Sequence, residues 1–368
     1  MKSLHSVLGA LLFAAVGTAT HGQILIGQTA GFTGAVAAGV KETTDGAKIY
    51  LDSVNAKGGI NGQKIELLSL DDKFIPQLAG DNAKSLIEDK EVVAMFLTRG
   101  TPHTQAVLPH LEKHGVPLIG PSTGAMVLHS PVHKHIFNVR ATYQREAEKA
   151  ITHLASIGIT RIALVHADDS FGEDGITGAQ KGLTSVKLTA TAIEKFDRTK
   201  PDFSRIVPKI TKMEAQAVLM VASGSAVADG IKALRAAGSS AQVVTLSNNA
   251  SGGFIKGLGD NARGVIVTQV FPQSIGFRMV KEAVDLARSQ NISEVTPAML
   301  EGFAAAKVLV EGLRRSGPKP SRERLQAALE GMRKFDLGGL ELSYSPTDHS
   351  GLDFADLSII TADGKFRR

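Results

Sequence analysis

From Ile24 onward, short apolar runs alternate with longer amphipathic stretches, and the whole alternation occurs twice. The first set of apolar runs is 24–28 (ILIGQ), 64–70 (KIELLSL), 92–97 (VVAMFL) and 116–119 (VPLI), with helical stretches at 40–56, 77–89 and 102–114 between them. Strand–helix alternation specifies a parallel sheet covered by helices on both faces. Continuous apolar strands are what such a doubly covered sheet requires. After a break near 139–144 (VRATYQ) the pattern restarts, with strands expected at 161–166, 186–193, 216–222 and 242–247. Helices are expected there at 144–157, 172–183, 202–213 and 225–237; in the first, Ala147, Ala150, Ile151 and Leu154 share one face. A strand-like run at 264–270 follows, then helical stretches at 276–290, 297–315 and 320–331. The end, 337–361, reads as strand broken by the turn Pro346-Thr347-Asp348. The expected fold class is therefore α/β, two doubly wound units in succession, and 368 residues suit two such units better than one. Gly58-Gly59 stops the 40–56 helix, because glycine tolerates positive φ, and Asn61-Gly62 forms a tight turn into the next strand.

The charge pattern excludes several function classes. The formal net charge is only +5, with Lys and Arg interspersed among Asp and Glu. Nucleic-acid binding needs a clustered basic face, so none is expected. The chain has no cysteine, which removes disulfides, thiolate catalysis and cysteine-based zinc sites. It also has no tryptophan, so aromatic contacts must come from Phe and Tyr. Lys2, the uncharged run Val7–Gly17 (VLGALLFAAVG) and the small residues Thr18-Ala19-Thr20 read as a secretory leader cut near Gly22. The run is too short for an ordinary bilayer span. An exported, periplasmic protein is the expectation.

In open α/β sheets, ligands bind beyond the carboxyl ends of the strands. The turns there are Thr29–Gly34, Thr98–Pro102, Gly120–Gly124, Asp168–Gly172 and Asn248-Asn249, all rich in Gly, hydroxyl and amide groups. Free N–H groups at helix starts favour anions, and Arg99 could add a fork for a carboxylate. The glycines at 27, 31 and 34 do not make a dinucleotide fingerprint, and no phosphate-loop motif occurs. Gly120–Gly124 (GPSTG) does match the pattern of a hydrolase nucleophile elbow, with Ser122 as nucleophile. A secreted serine hydrolase is thus the alternative. Against it stand Pro121 beside the serine, the lack of an oxyanion glycine stretch, and His349 as the only late histidine, in a polar turn. His129, His133 and His135 cluster, but Pro131 interrupts the helical spacing a metal pair would need. Asp71-Asp72 and Asp168-Asp169 are sequence neighbours whose side chains point apart, so capping is expected of them rather than catalysis. No catalytic residue, metal site or cofactor is expected.

Several segments carry a family resemblance. Asn55 to Glu66 (NAKGGINGQKIE) followed by Asp71-Asp72, Gly115 to Ser122 (GVPLIGPS), Asp168 to Gly172 (DDSFG) and Asp202-Phe203-Ser204 resemble the branched-chain amino acid binding proteins of ABC uptake systems, in order from Ile24 to the end. The resemblance implies a type I periplasmic binding fold, with two lobes joined by three crossover strands near 139–143, 268–272 and 344–352. It divides the chain into a leader at 1–22, a first lobe of 23–140 and 270–346, and a second of 141–269 and 347–368. It implies a monomeric partner of a membrane permease that delivers a small amino acid or other organic carboxylate and catalyses nothing. The ligand carboxylate falls to Gly100, Thr101, Ser122, Thr123 and Gly124, and an aromatic cap to Phe171. Arg99 and Asn248 complete the expected ligand-binding set. The family's acidic partner for an α-ammonium falls near Ser247-Asn248, where this chain has no carboxylate.

Overall fold

A computed structural model describes residues 22–368. Residues 1–21, where the leader is expected, lie outside the described residues. Chain order begins with β1 (Ile24–Ala30), α1 (Ala37–Ala56), β2 (Ile65–Asp71), α2 (Pro76–Glu88), β3 (Ala94–Phe96), α3 (Thr101–His114), β4 (Leu118–Ile119) and β5 (Ile136–Phe137). These strands form an all-parallel sheet in the order β2-β1-β3-β4-β5. Its side chains alternate between two apolar layers. Ile24, Ile26, Phe96 and Phe137 enter one core, while Met95, Leu118 and Ile136 enter the other. This two-sided burial explains why the strands read as unbroken apolar runs.

The second half contains α4 (Tyr143–Ser156), β6 (Ile162–Ala167), α5 (Ser170–Ser185), β7 (Ala192–Phe196), α6 (Ile206–Lys212), β8 (Ala217–Val221), α7 (Ser225–Ala236), β9 (Gln242–Thr245), α8 (Gly252–Leu258) and β10 (Ile266–Gln269). The chain then returns to the first half with α9 (Arg278–Ser289), α10 (Pro297–Arg315), α11 (Arg322–Glu330) and the short pair β11 (Phe335–Asp336) and β12 (Glu341–Leu342). It ends with β13 (Asp356–Ile360) and β14 (Phe366–Arg367). The second sheet has the order β14-β13-β10-β9-β8-β6-β7, parallel except for its two C-terminal strands. Helices α1 and α10 cross at backbone contact: a Cβ on Gly302 would lie 1.7 Å from the Thr43 carbonyl oxygen, so only glycine fits there.

Several elements depart from the sequence reading. Helix α5 runs on to Ser185, and the strand expected at 186–193 starts at Ala192, after a turn in which Lys187 adopts φ 60°. Strand β5 lies where the apolar runs predict no strand, yet it pairs Leu118 with Ile136 and Ile119 with Phe137. The last crossing falls between Leu352 and Asp356, later than a boundary at 346. Residues 349–352 stay with the first sheet because Asn138 N and Leu352 N bond to the His349 and Val139 carbonyls, and His349 stacks on Phe137 at 4.1 Å.

Candidate functional site

The two sheets point their strand ends at each other, and the turns there meet. Ser225 N donates to the Ala35 carbonyl at 3.1 Å, and Ser170 Oγ donates to Gln105 Oε1 at 2.7 Å. Gly224, with φ 58°, makes the first contact possible: a Cβ on it would lie 1.9 Å from the Ala35 carbonyl oxygen. Glu42 on α1 accepts from Gly252 N and Gly253 N, the free donors at the start of α8. The lobes are therefore closed on one another.

Arg99 lies at the centre of this contact. Leaving β3, the chain turns through Leu97 (φ 49°) and Gly100 (φ 92°), with α3 starting at Thr101. This turn sends the Arg99 side chain across the cleft. Its Nη1 donates to Ser122 Oγ at 2.9 Å and its Nη2 to the Asn248 carbonyl at 2.6 Å. The residue is 5% exposed, and its hydrogen bonds go to a hydroxyl and a carbonyl rather than to a carboxylate. A buried cation without an anion is costly, so this guanidinium favours a negative partner.

One side of Arg99 borders a cavity of about 190 Å³ between the lobes. Val36 and Gly39 from the start of α1 face Ala228 of α7 and Phe254 of α8 across it, with Asn248 at its inner end. Asp229 and Lys232 are exposed at its rim. On the other side, Arg99 and Ser122 border a void of about 10 Å³ with Gln28, Thr43 and Thr44.

The structure brings the expected site residues into one region but gives them unequal access. Arg99 and Asn248 line the cavity. Ser122 touches Arg99 and faces the small void. Thr101 and Thr123 are fully buried and hydrogen-bond each other at 2.8 Å. Gly100 caps α3, and Gly124 accepts from Tyr143 N at its carbonyl. A Cβ on Gly124 would lie 2.5 Å from the Ala141 carbonyl oxygen. Phe171, 4% exposed, packs on Tyr143 with ring centres 4.5 Å apart. Sequence reasoning missed the far wall: Ala228, Ser251 and Phe254. The readable signal was Ser251-Gly252-Gly253, an N-cap followed by small residues.

The other motifs have structural partners. Asp169 caps α5 by accepting from Phe171 N and Gly172 N, and Asp71 accepts from Thr33 and Lys73. Asp72 accepts from Thr29 Oγ1 and Phe74 N; burial still pushes its carboxyl up to about 6. His135 bonds Gln326, His133 bonds the Val127 carbonyl, and His129 is buried. Among the described residues no group of three or more His, Asp or Glu could hold a metal ion. Ser122 Oγ, the serine of GPSTG, is bonded to a guanidinium, and its backbone is not in the left-handed region.

A hinge network lies behind the cleft. Arg140, 1% exposed in the first crossover, donates to Glu146 of α4 and, at 2.8 Å, to Ser247 Oγ. Glu146 also accepts from Ser247 N and from Thr268 of the second crossover. Glu301 of α10 stands 3.9 Å from Arg140 Nη1. Desolvation raises the Glu146 carboxyl from its ordinary value, and the Arg140 charge opposes this.

Comparison with known proteins agrees with this architecture. The sequence profile described as periplasmic binding protein matches residues 23–362. A Leu/Ile/Val-binding protein homolog from Brucella melitensis is 24% identical over 350 residues, covering 93% of each chain. The Leu/Ile/Val-binding protein of Escherichia coli K12 is 24% identical over 272 residues, 73% of each chain. Among solved structures, a substrate-binding periplasmic protein from Ralstonia solanacearum superposes with TM-score 0.86 at 30% identity, covering 94% of this chain and 99% of that one. A solute-binding protein of an ABC transporter from R. palustris, solved with benzoate, superposes with TM-score 0.83 at 16% identity, over 94% and 95% of the two chains, and shares the fold. Among the described residues no helix is long and apolar enough to cross a membrane. The chain belongs to the periplasmic binding protein family, with the type I fold of the Leu/Ile/Val-binding proteins, whose members are extracytoplasmic ligand-binding proteins.

Proposed function

We propose that this protein captures a small organic carboxylate, an amino acid or an aromatic acid, between its lobes in the periplasm and delivers it as a monomer to the permease of an ABC importer. The observation that carries this reading is the buried guanidinium of Arg99, which heads an interlobe cavity of about 190 Å³ and has no carboxylate among its hydrogen-bond partners. A ligand carboxylate would supply the missing anion through a charge-assisted hydrogen bond. Ser122 orients the fork, and Asn248 meets the ligand from the second lobe. Gly100, Thr101, Thr123 and Gly124 shape the first-lobe wall that the carboxylate approaches, and Phe171 supports the second-lobe wall. The lobes divide at 23–140 with 270–346 against 141–269 with 347–368, allowing for residues 349–352 at the first sheet. A bridging ligand favours closure through contacts that exist only in the closed state. The names of the relatives support an amino acid, and the R. palustris complex supports an aromatic acid.

The test is a dye-based thermal-shift screen of amino acids and organic acids on the purified exported protein, since the chain has no tryptophan to report binding. At least one small carboxylate should raise the melting temperature in a concentration-dependent way. Stabilisation by neutral sugars alone, with every carboxylate inert, would sink the proposal.

A further inference from the structure

Resting on that reading, we infer that the ligand is a carboxylic acid with an apolar body and no α-ammonium group. The cavity's buried charge is one-sided. Arg99 supplies a buried cation, while Val36, Gly39, Ala228 and Phe254 supply apolar walls. An amino acid would bring an ammonium into the same space and would need a buried anion there. The carboxylates that reach the junction of the lobes are already committed elsewhere. Both Glu146 oxygens are engaged, one by Arg140 and the other by Ser247 N and Thr268. Glu301 is directed at Arg140 and does not line the cavity. Glu42 is committed to Gly252 N, Gly253 N and Thr296. Asp229, the one carboxylate on the cavity lining, is exposed at the rim beside Lys232.

The segment 247–248 adds a second argument. Ser247 is bonded to both members of the Arg140–Glu146 pair, its Oγ accepting from the guanidinium at 2.8 Å and its N donating to the carboxylate, so that corner offers no free anion. The Asn248 amide donates to the Ala222 carbonyl and to Ser223 Oγ, and its Oδ1 is buried without a donor. An isolated amide oxygen suits a neutral hydroxyl better than a desolvated ammonium. The acid can therefore carry a hydroxyl where an amino acid carries its amine.

Calorimetry on matched acids tests this. The panel is leucine, 4-methylpentanoate and 2-hydroxy-4-methylpentanoate; phenylalanine, 3-phenylpropanoate and 3-phenyllactate; and benzoate. The tightest binder should lack an ammonium and bind at least about tenfold tighter than the matching amino acid, where one exists. Arg99→Gln should weaken it roughly ten- to hundredfold, and Arg99→Lys, which keeps the charge, should recover part of the loss. An amino acid that binds as tightly as its ammonium-free partner overturns this inference and leaves the capture of a carboxylate intact. Unchanged affinity in a folded Arg99→Gln also overturns it, and the charge-free Arg99→Met gives the same readout if the glutamine variant fails to fold. If no panel member binds, this inference falls, and the wider thermal-shift screen decides whether any carboxylate is captured.

Discussion

The guanidinium of Arg198 lies 4.5 Å from the centre of the Phe74 ring, and the two residues come from opposite lobes. Arg198 is held in place by Asp169, the cap of α5, at 2.9 Å. Phe74 is held on its first-lobe side by His103, stacked at 4.3 Å. Asp169, Arg198, Phe74 and His103 thus form a chain of four groups whose middle junction exists only while the cleft is closed. A partly desolvated cation–π contact contributes about 0.5–2 kcal/mol. Arg198→Ala should therefore shift the unliganded protein toward open lobes and raise its radius of gyration in solution scattering. It should weaken ligand binding by several-fold without touching the ligand. An unchanged scattering profile, with folding intact, would show that the stack does not contribute to closure.

Acid should destabilise the fold through two histidines. His103 and His129 are buried, and desolvation pushes both down to about 4 from an ordinary 6.5. A depressed folded value means the neutral ring is favoured in the native state. The associated stability is complete above pH 6.5 and is lost as pH falls toward 4, by up to roughly 3 kcal/mol per ring. Nuclear magnetic resonance of the imidazoles should show both rings neutral at pH 5.5. Titration of either ring near 6.5 in the folded protein would contradict this.

Asp72 works in the opposite direction. Burial raises its carboxyl from 3.8 to about 6, so the native state prefers it protonated. Its contribution to stability is present below pH 3.8 and is lost as pH rises through 6. At pH 7 the charged form costs up to about 3 kcal/mol relative to a neutral group of the same shape. Asp72→Asn should raise the melting temperature at pH 7, and its advantage should shrink to nothing near pH 4. A variant less stable than the parent at both pH values would mean that the bonds from Thr29 and Phe74 outweigh burial.

The hinge network makes a sharper claim on stability. Arg140→Met removes the cation that both lobes share and leaves Glu146 buried without its partner. Breaking one side of a buried ion pair costs about 3–5 kcal/mol. Urea denaturation should register that loss. The double variant Arg140→Met with Glu146→Leu should regain part of it, because one of the two stranded carboxylates is then gone while Glu301 remains. A double variant no better than the single would locate the defect in packing instead.

The sequence made the two sheets legible because both of their faces are buried, so nearly every strand is an apolar run bounded by turn residues. Strand β5 escaped because it is only Ile136-Phe137, preceded by a segment rich in His and Pro that reads as wet loop. Helix α8 escaped because it has seven residues and opens on two glycines; the Glu42 carboxylate that caps it comes from α1, 210 residues earlier. The candidate site was half legible for the same reason. Strand-end turns pointed to Arg99, Ser122 and Asn248, but the bond from Arg99 to Asn248 spans 149 residues and depends on how the lobes meet. Arg140 drew no notice, since a lone arginine in a sequence looks like any solvated one.

The GPSTG turn yields the last expectation. A serine nucleophile needs a base within hydrogen-bond reach to take its proton. Here the neighbour of Ser122 Oγ is the Arg99 Nη1 donor at 2.9 Å, and an arginine that stays protonated cannot act as that base. The hydroxyl's role is then to hold one arm of the fork so that the other reaches the second lobe. Fluorophosphonate should leave Ser122 unlabelled, and no ester should turn over. Ser122→Ala should fold, keep the lobes able to close, and lose roughly tenfold in affinity as the fork loses one of its two fixed acceptors. Stoichiometric labelling abolished in Ser122→Ala would instead identify a hydrolase.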